Sequence, residues 1–241
     1  MSLSHKTISQ VVLMQTKWKI KTYSHCLIHL LILQILMCFF NYGSGSGMSK
    51  RGNETFTVQT NFYSLDVFLM AACLWAFIIA FLLQTKGIRQ VDLSIVTNRA
   101  TGSIANALVL IIYSFLATIV IYMSLYIIVA FIQLFKGIYM YPDVSLFNFM
   151  YFFISFFMIL LAASSGYFMS SLFNLSMTIG GFFVLILGYF IFRVLDEQLL
   201  TLLYFYLEAG YLSFTVKALI SAILLFVLPV VFLNWKEVVR R

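Results

Sequence analysis

The sequence predicts an all-α fold, a polytopic membrane bundle of six transmembrane helices with an interfacial helix in front. Three observations carry that expectation. Hydrophobic residues make up 63% of the chain and charged residues only 10%, whereas about a quarter of a soluble domain's residues are charged. The apolar residues gather into runs able to cross ~30 Å of hydrocarbon at 1.5 Å per helical residue. The charges cluster between those runs. No interval between runs exceeds roughly 25 residues, short of the ~50 of a small soluble domain. The chain is therefore expected to carry no ATPase, kinase or nucleic-acid module of its own and to use no nucleic-acid partner. Its net charge of +7 reads as membrane topology.

Taken in order, residues 5–23 (HKTISQVVLMQTKWKIKTY) are amphipathic at helical spacing. Ile8, Val11, Val12, Leu13, Trp18 and Ile20 can form an apolar side, with Lys6, Lys17, Lys19 and Lys21 on the polar side. That pattern predicts a helix lying in the cytoplasmic interface. Residues 24–41 form the first span. His25 and His29 share a helix face, but a zinc site needs more ligands and the one other histidine is His5. Residues 42–63, with GSGSG at 43–47, read as a flexible loop. A phosphate loop does not fit, because Asn53 follows Gly52 where lysine is required.

Residues 67–83 form the second span, with Asp66 at its outer mouth and Trp75 expected to pack rather than to bind a ligand. Residues 105–135 form the third. At roughly 46 Å as helix, this run exceeds the hydrocarbon thickness and must tilt or project. Residues 136–144, with Pro142 and Asp143, are an outer turn. Residues 145–169 form the fourth span, in which Ala162, Ala163, Ser164, Ser165 and Gly166 allow close helix approach. A tight inner turn is expected at 170–174. The fifth span covers 175–192, with Gly180-Gly181 as a kink or a close-contact point. Residues 193–217 surround LLTLLYFYL (199–207), too short to cross a bilayer, and read as an outer segment that is either re-entrant or surface-lying. The sixth span, 218–233, is expected to kink or end near Pro229, and a basic tail follows.

The cations set the orientation. With both termini cytoplasmic, Lys6, Lys17, Lys19, Lys21, Lys86, Arg89, Arg99, Lys236, Arg240 and Arg241 lie inside, while Lys50, Arg51, Lys136, Arg193 and Lys217 lie outside. An excess of inside cations is the rule for multi-pass chains. Cys26, Cys38 and Cys73 all lie in or beside apolar runs, which speaks for packing and against a disulfide framework. The spans hold few ionisable residues and no convincing inverted repeat, which counts against an ion-driven secondary transporter. The many Phe, Tyr and Met side chains suit a lipid-facing surface or an amphipathic, lipid-like cargo equally well.

The polar stretch of residues 84–104 (QTKGIRQVDLSIVTNRATGSI) stands between the second and third spans. Ile88, Val91, Leu93, Ile95 and Val96 are compatible with a short amphipathic helix. On spacing alone it is either a docking element for a soluble partner or a solvated connector near anionic headgroups. Three segments resemble the permease subunit of ABC-2-type exporters of Gram-positive bacteria: CLWAF (73–77), QTKGIRQVDLSIVTNR (84–99) and SIANALVLIIYS (103–114). In that family a WAF motif precedes T-K-x-x-R, a D-x-x-x-V-T-N-R loop follows, and the third helix opens with S-N. Leu93-Ser94-Ile95 stands where an aromatic is usual, and Ala105 precedes Asn106 where serine is usual.

The resemblance covers about forty residues, and it implies that residues 85–99 hold a coupling helix seated in a groove of an ABC ATP-binding subunit. Lys86, Arg89, Asp92, Thr97, Asn98 and Arg99 would contact that partner or fix the hairpin. It also implies residence in the cell membrane, pairing with a second permease copy or a paralogue, and export. ATP and Mg would sit on the partner ATPase, leaving this chain without a cofactor or an enzymatic reaction. Some related exporters move amphipathic peptides such as phenol-soluble modulins or bacteriocins. The alternative class is a stand-alone membrane immunity or binding protein that works without ATP.

Overall fold

Apolar residues recurring every three or four positions wind each long run into a helix and press one stripe of it against its neighbours. The computed structural model describes residues 7–44, 47–53, 56–62, 65–85, 87, 99–136, 149–193 and 210–238. Seven helices are described: α1 (Ile8–Thr22), α2 (His25–Ser44), α3 (Asp66–Leu83), α4 (Arg99–Lys136), α5 (Phe149–Leu175), α6 (Met177–Arg193) and α7 (Gly210–Val238). Five of them, α2, α3, α4, α5 and α7, are long and apolar enough to cross a membrane. The predicted fifth span is helix α6, whose 17 residues fall short of that length.

The buried stripe of α3 shows the packing logic. Phe68, Ala71, Ala72, Trp75, Ala76, Ile79, Ala80 and Leu83 recur at alternating steps of three and one, and the small members let a neighbour come close. That neighbour is α5, which also packs on α4, α6 and α7. Gly166 makes the closest approach: a Cβ there would stand on the Phe77 carbonyl oxygen, with the carbonyl carbon and Cα at 3.0 Å. The core runs through α2, α3, α4 and α5, and Phe68, Tyr113, Ile121, Ile159 and Tyr167 are fully buried in it. Hydroxyls inside this apolar bundle bond back to their own helices. Ser114 donates to the Leu110 carbonyl at 2.8 Å, Thr118 to Ser114 at 2.9 Å and Ser155 to Tyr151 at 2.8 Å. Cys26, Cys38 and Cys73 are free thiols packed against the core.

Several expectations need correction. Residues 42–63 are not a loop throughout. Helix α2 runs to Ser44, and β1 (Gly47–Asn53) pairs antiparallel with β2 (Phe56–Phe62), Asn53 opposite Phe56. Thr, Val and Phe in TFTVQTNF favour extended backbone, a signal hidden behind the Gly/Ser run. The inner turn expected at 170–174 is continuous helix, and the break falls at Ser176 alone. Nothing in that segment breaks a helix, and Ser171 donates to the Phe168 carbonyl at 2.6 Å. Helix α4 starts at Arg99, so residues 99–104 are helical and continuous with the third apolar run. Helix α7 starts at Gly210 and runs through Pro229 to Val238. Of the Gly180-Gly181 pair, Gly180 is a close-contact point, because a Cβ there would meet the Phe173 ring at 2.7 Å.

Helix α1 departs from expectation on its polar side, where Lys17 and Lys21 stay exposed but Lys19 turns inward. Val12, Gln15, Thr16 and Lys19 face inward, and Lys19 is only 2% exposed, whereas Leu13 is 64% exposed. Asn106 of α4 accepts from the buried Lys19, and Thr16 donates back to the Val12 carbonyl of its own helix at 2.9 Å.

Candidate functional site

The residues carrying the family resemblance meet at one junction of four helices. Helix α1 ends at Thr22, and Tyr23 and Ser24 turn the chain into α2. Within that turn the Cys26 N–H bonds to the Tyr23 carbonyl and the Leu27 N–H to the Ser24 carbonyl, each at 3.0 Å, and side chains of α3 and α4 add further donors. Trp75 of α3 gives its indole N–H to the Cys26 carbonyl at 3.0 Å, and Tyr113 of α4 gives its hydroxyl to the Tyr23 carbonyl at 2.9 Å. The two rings lie 6.2 Å apart, tilted by 38°. Lys19 of α1 donates to Asn106 Oδ1, and both are buried. Trp75 comes from the WAF motif, and Asn106 and Tyr113 come from the segment at 103–114. Trp75 is thus a packing and donor residue.

The same end of the bundle holds the exit of α3. Gln84 is buried, and its backbone N–H reaches Phe81 O at 3.3 Å. Thr85 closes the helix with both its N–H, at 2.9 Å, and its hydroxyl, at 2.8 Å, on the Leu82 carbonyl. Asn174, from the last turn of α5, donates its side-chain amide to the Gln84 carbonyl. Phe81 meets Phe173 edge-on at 5.8 Å, and Phe173 in turn lies against Gly180 of α6. The stretch between α3 and α4 therefore leaves from a mount on α5–α6 and returns to a mount on α1.

Lys86, Arg89, Asp92, Thr97 and Asn98 lie outside the described residues. Arg99 is the first residue of α4. The junction contributes residues that sequence reasoning passed over: Lys19, Tyr23 and Asn174. The Val12, Gln15, Thr16, Lys19 spacing was a signal for the first of them, since i, i+3, i+4, i+7 defines one helix face. Among the described residues, no group of three or more His, Cys, Asp or Glu stands where a metal ion could be held.

The fold defines a class, a multi-pass membrane protein built as a helix bundle. Beyond that class, no family model, no curated protein and no solved structure matches this chain.

Proposed function

We propose that this chain is the membrane-spanning permease subunit of an ABC-2-type exporter, driven by a separate ATP-hydrolysing subunit. The observation that supports it most is the junction itself. Trp75, Asn106 and Tyr113 come from segments far apart in sequence that carry the resemblance, and they converge on the end of α1 and the start of α2. A docking element transmits force only if its ends are tied to the parts that must move. Here one end is tied to α5 through Asn174 and the other to α1 through Lys19.

In this reading Lys86, Arg89, Asp92, Thr97, Asn98 and Arg99 hold or contact the ATPase from the cytoplasm, with both termini on that side. Two permeases, identical or paralogous, share two ATPases in the cell membrane. ATP binding displaces the docked stretch, and the junction passes the movement to α1, α3, α4 and α5. The work comes from the difference in contact energy between two ATPase states. Helix α6 counts as a span, which makes six. The cargo is an amphipathic peptide or lipid-like molecule that leaves outward along the apolar bundle.

The test is affinity purification in mild detergent with every bound chain identified. The native chain should bring down an ABC ATPase. Arg89→Glu combined with Asp92→Lys should cut that recovery about tenfold, as reversed interface charges do, with membrane insertion unchanged. Equal recovery by the two chains would defeat the docking assignment.

A further inference from the structure

At the opposite end of the bundle, where α3, α5 and α7 begin, lies a cavity of about 820 Å³. Its walls are mostly apolar, and Leu69, Leu125 and Met158 run along its depth. Among the described residues its lining holds one carboxylate, that of Asp66 in the first turn of α3, and no Lys, Arg or His. The Asp66 side chain is exposed and makes no ion pair or hydrogen bond among the described residues. Tyr151 of α5 and Tyr211 of α7 stand across the mouth, their rings edge-to-face at 5.7 Å and their hydroxyls 3.4 Å apart. Both rings are exposed.

Among the described lining residues, Asp66 supplies the formal charge, and it is negative in a chain whose net charge is +7. Aromatic faces attract a cation held within ~6 Å of the ring centre, and more strongly where water is scarce. The apolar walls below give a hydrocarbon chain somewhere to go, since burying methylenes away from water is favourable. An anionic ligand would be repelled by Asp66, and a small hydrophilic cation would leave the walls unsatisfied.

We propose that this cavity binds a cationic amphiphile, its ammonium head against Asp66 and the Tyr151–Tyr211 pair and its apolar chain along Leu69, Leu125 and Met158. A single-chain amine and a lysine-bearing segment of an amphipathic peptide present the same chemistry. Binding requires neither nucleotide nor a second subunit, so the site stands or falls apart from the exporter reading.

The experiment uses the full chain in dodecyl maltoside and two photoreactive probes, dodecyltrimethylammonium and dodecanol, each with a diazirine in its alkyl chain. Cross-linked peptides are mapped by mass spectrometry. The ammonium probe should label residues around 151–158 and 210–214 saturably, and unlabelled dodecyltrimethylammonium should compete while dodecanol does not. Asp66→Asn should raise the half-saturating concentration about tenfold and leave dodecanol labelling unchanged. Asp66→Glu, which keeps the charge, should stay within about threefold of the native chain. Competition by an excess of unlabelled lysine-rich amphipathic peptide would identify the peptide source, and its failure beside successful competition by the amine would identify the single-chain source. Labelling scattered along the lipid-facing helices, equal competition by dodecanol, or indifference to Asp66→Asn would each overturn the proposal.

Discussion

Gly166→Ala is expected to lower the thermal unfolding midpoint of the purified protein sharply, by about 5 °C or more. The added methyl has nowhere to go. It would land on the backbone carbonyl of Phe77, and backbone yields far less readily than a flexible side chain. Helices α3 and α5 would have to separate, and with them the packing of Phe68, Ile159 and Tyr167. Overpacking of this kind costs about 1–3 kcal/mol. The comparison variant is Gly181→Ala, which changes the same residue type in the next helix but meets nothing within 4 Å. Relieved of glycine's backbone entropy, that helix should hold or gain up to about 1 kcal/mol. Differential scanning fluorimetry in mild detergent reads both. Equal midpoints for the two variants would mean that α3 and α5 do not cross as closely as described.

The second large effect concerns the buried contact between Lys19 and Asn106. Asn106→Leu removes the acceptor and leaves the Lys19 amine, 2% exposed, short of a partner it holds in the native chain. A hydrogen bond of this kind contributes about 2 kcal/mol, and much of the loss comes from the group left behind. Lys19→Met combined with Asn106→Leu removes donor and acceptor together and should recover a good part of the stability. The double-mutant cycle is expected to show a coupling of about 1–2 kcal/mol. Additive losses would show that the two side chains do not interact. Lys19 and Asn106 are 87 residues apart in sequence, so coupling between them also tests whether α1 is clamped to the start of α4.

These contacts also mark where a sequence can be read and where it cannot. The centres of the long helices were legible, because runs such as 67–83 and 105–135 can satisfy their backbone in an apolar setting only by coiling. Their ends were not. Arg99–Ile104, Ser170–Leu175 and Gly210–Lys217 continue their helices through polar or mixed sequence, where hydropathy falls although backbone bonding does not. The face of α1 was misread for a related reason. An amphipathic pattern assumes water on the polar side, and here Gln15, Thr16 and Lys19 look into the protein. The hairpin at 47–62 was missed because the Gly/Ser run outweighed the strand-forming residues after it. At the junction, Trp75, Asn106 and Tyr113 could be singled out by resemblance, but the chain gave no sign that Trp75 and Tyr113 serve the turn at Tyr23–Cys26 while Asn106 holds Lys19. Such meetings depend on how helices cross, and spacing within one helix does not encode that.

A cytoplasmic ATPase can reach residues 84–98 only if they lie on its side of the membrane, so sidedness is the most direct test of the proposed coupling. Thr97→Cys in the otherwise native chain can be treated in intact cells with a membrane-impermeant maleimide, the native chain serving as the control for Cys26, Cys38 and Cys73. The account predicts no added labelling in intact cells and full labelling once the membrane is opened. Added labelling from the cell exterior would contradict it.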